Sequence, residues 1–323
     1  MRIQPTMTFS DIKRAHERIL PFITRTPVVF SEALNNMFDA QLYFKCENQQ
    51  KAGAFKFRGA TNAVQNLNDE EAAKGVATHS SGNHAAALSL AARNRNIPAY
   101  IVMPRNAPQT KIDNVRSFDG KITFCEPTLE AREEGLKEIV DETGATFIHP
   151  YDCFDVICGQ GTAALEMIED YGPFDIVMAP VGGGGLLSGT AIVARHLIPD
   201  VKVIAGEPAN ADDAYRSLKA GYIVPSENPD TIADGLKTSL GKLNFQIISR
   251  YVDEIKTASE QSIRAAMTIL KKHAGIFAEP SSAVPLAAMI ENRDLFRDKK
   301  IGMIISGGNI SEETFAQLTK EAD

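Results

Sequence analysis

The 323-residue sequence has no pair of cysteines at metal-site or redox spacing; Cys46, Cys125, Cys153 and Cys158 are scattered and form no CxxC. Reduced thiols in a cytosolic protein are therefore expected. A zinc site built from His149, Cys153 and Cys158 would lack the paired ligand spacings that such sites use. Long apolar runs are missing as well: no window holds about 18 consecutive apolar residues, so no membrane span is expected. The opening stretch, MRIQPTMTFSDIKRAHERIL, has no apolar h-region, and no signal peptide is expected from it. Positive charge is not in excess. The net charge of −7 gives no support to nucleic acid or a membrane surface as partner. There is no internal repeat or low-complexity tract, and no GxxxxGK(S/T), which excludes a nucleotide P-loop.

What is present is ordinary for a soluble protein with a substantial core: 44% hydrophobic and 23% charged residues, over a length that suits two domains or one large one. Ser10 reads as the N-cap of a helix over DIKRAHERIL. Strands are expected at 42–47, 75–80, 99–103, 121–126, 146–150, 174–180, 201–207 and 300–306. Helices are expected at 83–94, 128–142, 159–170, 186–197, 259–273 and 281–291. Strands separated by helices of this length imply βαβ units and parallel sheets. Most of these strands are almost wholly apolar, as strands covered on both faces are. Residues 221–245, rich in Gly, Pro, Asn and Asp, read as a surface loop region.

Four segments follow predicted strands, where open α/β sheets place their ligands. SSGNHA (80–85) opens directly into a helix, so its backbone N–H groups suit a carboxylate; an ordinary Ser/Asn cap would look the same. PVGGGGLLSG (180–189) spends backbone entropy on four consecutive glycines, best explained by a phosphate at the following helix start. A dinucleotide fold is the rival reading. Its GxGxxG spacing fails at Leu187, although Glu207 ends the next strand about where a ribose-binding acid would sit. SGGN (306–309) puts a neutral hydroxyl, Ser306, at a strand end. EPANADDAY (207–215) offers Glu207 and Asp213 with a loop carbonyl, that of Ala211, which suits a hard divalent cation or simply a solvated acidic loop. Earlier in the chain, AGAFKFRGA sets Lys56 between Phe55 and Phe57. Burial there would supply free amine near neutral pH, able to form a Schiff base with a carbonyl.

Taken together, KxGAFKFRGA, SSGNHA, GQGT, GGGGLLSG, EPxNADDxY, TIADG and SGGN closely resemble the fold-type II pyridoxal-phosphate enzymes of the serine/threonine dehydratase group. The resemblance runs from about residue 15 to 310 and is nearest to serine racemases and 3-hydroxyaspartate dehydratases. It implies an α/β fold like the tryptophan synthase β chain, with two open twisted α/β/α domains and mainly parallel sheets. A small domain at 77–149 would be inserted in a large one formed by 1–76 and 150–323, with pyridoxal 5′-phosphate in the cleft between. By motif match, Lys56 would be the Schiff-base lysine and Phe55 would pack by the cofactor ring. Asn83 would bond the 3′-oxygen, Gly182, Gly183, Gly184, Gly185 and Leu186 would hold the phosphate, and Ser306 would meet the pyridine nitrogen. Ser81 would face Lys56 across the substrate Cα. Ser80, Gly82 and His84 would complete the substrate site. Glu207, Ala211 and Asp213 would bind Mg²⁺, Ca²⁺ or Mn²⁺. The implied reaction is loss of the β-hydroxyl as water from 3-hydroxyaspartate or L-serine/L-threonine, giving an enamine whose hydrolysis releases ammonia and leaves a 2-oxo acid. Serine racemisation on the same scaffold, a nicotinamide dehydrogenase and a non-catalytic amino-acid sensor are the alternatives. His79 and Arg132 would serve the second carboxylate of 3-hydroxyaspartate. A homodimer is implied, with a nucleotide effector as in some racemase relatives.

Overall fold

The computed structural model describes residues 7–80 and 82–320. Its ten strands are β1 (Val28–Phe30), β2 (Gln41–Cys46), β3 (Val76–His79), β4 (Ala99–Pro104), β5 (Lys121–Cys125), β6 (Thr146–Phe147), β7 (Ile176–Pro180), β8 (Lys202–Pro208), β9 (Glu254–Ala258) and β10 (Lys300–Ile305). They form a six-stranded sheet in the order β1-β2-β10-β7-β8-β9 and a four-stranded sheet in the order β5-β4-β3-β6. Every pairing is parallel except β1 with β2. The chain leaves the large sheet after β2, builds the small sheet, and returns at β7. The last strand, β10, fills the place left between them.

The apolar strands are the ones covered on both sides: all five residues of β7 are buried, as are the last five of β10. One face of the large sheet carries the helices Phe9–Ile19, Phe154–Tyr171 and Gly185–Leu197. The other carries Glu32–Phe38, Glu260–Ala274 and Pro280–Glu291. The small sheet packs the helices Asn83–Asn94 and Gln109–Ser117 on one side and Leu129–Thr143 on the other. No helix among the described residues is long and apolar enough to cross a membrane.

Several predicted boundaries move, each for a local reason. The first helix is capped by Thr8, which forms a capping box with Asp11, and not by Ser10. The strand expected at 146–150 pairs only through Phe147. The Ile148 carbonyl is taken by Thr78 and approached by His84, and Pro150 has no N–H to continue a ladder. The helix expected at 159–170 begins five residues earlier, at Phe154. Strands β1 and β9 were not expected. Both are edge strands, and β9 reads EIKTA, a charged pattern that protects an edge and hides it from a hydrophobicity search.

Helices meet closely where side chains are absent. A Cβ on Gly159 would lie 2.6 Å from the Arg58 carbonyl oxygen and from the Gly59 Cα. The segment GQGT thus brings Phe154–Tyr171 against the helix Lys56–Gln65. Under that contact lies a buried charge network. Arg58 donates to Glu47 from Nε at 2.7 Å and to Glu166 from Nη1 at 2.9 Å and Nη2 at 2.7 Å. Lys45 Nζ donates to Glu166 Oε2 at 2.6 Å, and all four side chains are wholly buried. Removing one anion leaves a cation uncompensated in the interior. Glu166→Ala should therefore cost about 3–5 kcal/mol in urea unfolding, whereas Asp141→Ala, in the exposed pair with Lys137, should leave the midpoint in place.

Candidate active site

The segments that follow β2, β3 and β10 bond to one another, and the glycine run after β7 packs on Tyr151, the neighbour of Pro150. Ala54 bridges Gly307 beyond β10, and the Phe55 N–H donates to the Ser306 carbonyl at 2.9 Å. This stitch delivers Lys56 as the first residue of its helix. The lysine is half-buried. Its Nζ donates to the Pro150 carbonyl at 2.8 Å and stands 5.1 Å from the centre of the Phe55 ring. Burial drives its pKa down to about 8, against the field of Glu279.

Following β7, Gly182–Leu186 are all buried. The missing Cβ atoms are accounted for by protein neighbours. A Cβ on Gly183 would lie within 2.3–2.5 Å of the Tyr151 ring, and Gly184 turns at φ +95° with its Cβ position 2.8 Å from that of Asn244. A ligand is invited by the backbone. Gly184 caps the helix Gly185–Leu197 without any side-chain cap. Among the described residues nothing accepts from the N–H groups of Gly185, Leu186 or Leu187. Buried N–H groups at a helix start need an acceptor, and a phosphate supplies one. These residues therefore fit pyridoxal phosphate.

Ser306 is buried, with its Oγ 2.8 Å from Ser282 Oγ. Asn83 begins the helix Asn83–Asn94; its amide donates to Glu279 Oε1 at 2.8 Å and accepts from Asn309 at 2.9 Å. Burial, with the field of Asp234 added, raises Glu279 to about 7. Sequence reasoning missed Glu279, Ser282 and Tyr151. Glu279 follows a loop and not a strand, so a search of strand ends passes it by. Asn309 stood in the quoted SGGN without a role.

Ser81 lies outside the described residues. Ser80 Oγ accepts from the Gly82 N–H at 3.3 Å, and a Cβ on Gly82 would meet nothing within 4 Å, so that position borders open space. His84 is buried, with Nε2 3.2 Å from the Ile148 carbonyl oxygen; burial takes it down to about 3. His149 accepts from the Asp152 N–H at 2.9 Å and is lowered to about 4, again by burial. No group of three or more potential metal-binding side chains is found among the described residues. His79 stacks on Phe147 at 5.7 Å; burial and then the Arg132 charge lower it. Arg132, on the helix Leu129–Thr143, donates from Nε to the Thr128 carbonyl at 3.2 Å.

The acidic loop is more enclosed than its sequence suggested. Glu207 is buried, and its two oxygens accept from the Ala214 and Tyr215 N–H groups, each at 2.8 Å. It is turned to the start of the helix Asp213–Ala220. Asp213 accepts from the Leu240 N–H at 3.0 Å, and its Oδ1 is buried with no partner. Burial raises Glu207 to about 9 and Asp213 to about 6. An orphaned carboxylate oxygen beside a second carboxylate is compatible with a cation bound there.

Residues 19–307 match the model of a family described as pyridoxal-phosphate dependent enzyme. The chain is 53% identical to a beta-hydroxyaspartate dehydratase of Paracoccus denitrificans, over 94% of this chain and 96% of that one. It is 49% identical to a serine racemase of Arabidopsis thaliana, over 93% and 92%. The crystal structure of serine racemase from Dictyostelium discoideum superposes with a TM-score of 0.91 at 47% identity, covering 95% of this chain and all of that one.

The depressed lysine has a direct readout. In cofactor-free protein, reductive methylation of Lys56 followed by peptide mass spectrometry should rise with pH to half its plateau rate near pH 8, since only the free amine reacts. An ordinary lysine would titrate near ~10.4.

Proposed function

The chain belongs to the pyridoxal-phosphate dependent enzyme family, and we propose that it eliminates water from 3-hydroxyaspartate to an enamine, whose hydrolysis takes up water, releases ammonia and leaves a 2-oxo acid. The observation that carries the chemistry is the Lys56 amine, lowered to about 8 and bonded to Pro150, whose neighbour Tyr151 packs on a glycine run with unclaimed N–H groups. Lys56 would hold the cofactor aldehyde, Gly182–Leu186 its phosphate, Phe55 and Asn83 its ring and 3′-oxygen, and Ser306 its pyridine nitrogen. The bound cofactor supplies an electron sink for the charge left on the substrate Cα. The Lys56 amine, when free, would accept the α-proton as general base. Ser306 offers the ring nitrogen a neutral hydroxyl, which favours prompt departure of the β-hydroxyl over long storage of charge. Lys56 sits among neutral histidines, so no imidazolium near it competes for the proton at neutral pH.

Substrate choice rests on His79 and Arg132. A second carboxylate in the cleft needs cationic or donor partners, because burying it unpaired is costly. Arg132 stands close enough to His79 for its charge to be felt there. The name of the Paracoccus relative agrees with this choice. A racemase reading is favoured by the similarity to serine racemases and would use Ser81 as the acid on the opposite face. The reading also takes residues 77–149 as an inserted small domain, supported by the separate sheet of β3–β6, and takes the protein as a homodimer. Mg²⁺ or a similar cation would bind at Glu207, Asp213 and the Ala211 carbonyl, supported by the unpartnered Asp213 Oδ1.

The experiment is a panel of serine, threonine and the 3-hydroxyaspartate isomers, with detection of 2-oxo acid and of D-serine. Hydroxyaspartate should be turned over best, and Lys56→Ala should be inactive on all. Arg132→Ala should lower kcat/KM for hydroxyaspartate about 10–100-fold, the worth of a charged hydrogen bond, and change serine far less. Equal losses on both substrates would reject the role of Arg132. D-serine as the main product would put the racemase reading first. A chelator should lower the melting temperature of wild type and leave that of Asp213→Asn unchanged, by loss of a ligand that binds only the folded protein.

A further inference from the structure

Asn244 has no part in the site as the family resemblance assigns it, yet it is wholly buried directly behind the glycine run. Its Nδ2 donates to the Gly183 carbonyl at 2.9 Å and to the Tyr151 carbonyl at 3.0 Å. The Gly241 N–H donates to the same Gly183 oxygen at 3.1 Å. With two acceptors on one side, the amide orientation of Asn244 is settled by its neighbours. Asp152 in turn fixes Asn244. Its carboxylate accepts from the Lys242, Leu243 and Asn244 N–H groups at 3.0, 2.9 and 3.3 Å, anchoring the first turn of the helix Lys242–Tyr251.

A peptide group is planar, so the Gly183 carbonyl and the Gly184 N–H point in opposite directions. Holding that carbonyl on the Asn244 side therefore aims the Gly184 N–H away from Asn244, to the other side of the run. Four successive glycines would otherwise leave this peptide free to rotate. We infer that Asn244, fixed by Asp152, is a positioning residue that orients the Gly183–Gly184 peptide for the phosphate of the cofactor. The inference rests on the reading that the glycine run holds that phosphate.

The test compares two ligands on cofactor-free protein: pyridoxal phosphate, and pyridoxal, which has the same aldehyde and no phosphate. Affinity for each is read from the absorbance of the bound ligand. In Asn244→Asp an oxygen replaces the donor and faces two carbonyls. The preference for pyridoxal phosphate over pyridoxal should fall about tenfold or more, the worth of one lost buried donor and its repulsion. Pyridoxal affinity should stay within about twofold of wild type. Asp152→Asn should move the preference the same way by less. An unchanged preference, or equal weakening of both ligands, would overturn the inference. So would failure of both Asn244→Asp and Asn244→Ser to fold without cofactor, since the residue would then belong to the fold at large. Should wild type itself bind both ligands equally, the phosphate reading falls along with the inference; a wild-type preference kept intact in the variants sinks the inference alone.

Discussion

The guanidinium of Arg58 is the fixed point from which the site is laid out. It is wholly buried and bonded to carboxylates from two other segments, Glu47 just beyond β2 and Glu166 on Phe154–Tyr171. Lys45 on β2 closes the set, so two cations face two anions. Such a group gains little net stability against an apolar alternative, but it punishes any shift that unpairs one member. Lys56 lies two residues before Arg58 at the start of the same helix. A slip in register that moved the amine would also pull Arg58 off its carboxylates. Specificity of geometry, more than stability, is what this network contributes.

Around that fixed point, burial removes charge. It lowers Lys56, His84 and His149 and raises Glu279. Each shift has the same origin, the poor solvation of ions in a low-dielectric interior. Near neutral pH the two histidines are thus neutral, Glu279 is near its midpoint, and Lys56, at about 8, is still mostly the ammonium. Further positive potential comes from unclaimed N–H groups at the start of Gly185–Leu197. Peptide dipoles do not titrate, so the phosphate end of the site keeps its character across pH while the lysine end is tuned to it. An anionic cofactor and an anionic substrate suit the two poles separately.

Much of this could be read from the chain. Apolar strands followed by glycine or serine turns gave the parallel sheets, and the segments after β3 and β10 meet through Asn83, Glu279 and Asn309. Lys56 stood out because an ammonium between two phenylalanines is an unusual neighbour. Other parts left no such trace. Glycines at 182–185 suggested a ligand's close approach, whereas the close approaches are to Tyr151, Leu236 and Asn244. Composition records that a Cβ is missing and not what takes its room. Glu279 and Asn244 lie on segments remote in sequence from the motifs, and their roles depend on which backbone carbonyl or amide the fold brings opposite. The carboxylates of Glu207 and Asp213 read as a solvated loop or a cation site, and their burial is a tertiary fact no spacing reveals.

The brevity of β6 shows how those tertiary facts serve the site. A strand through residue 150 would alternate its side chains across the sheet and give its carbonyls to a neighbour. Instead the chain leaves the ladder, and four consecutive residues each meet a different part of the cleft. His149 stands T-shaped to His79, with ring centres 6.4 Å apart. The Pro150 carbonyl accepts from Lys56, and proline is the one residue whose place in a ladder would already lack a donor. The Tyr151 ring fills the space over Gly183, and Asp152 holds the helix that carries Asn244. The covalent chain between the two sheets is thereby the wall that joins the lysine to the glycine run.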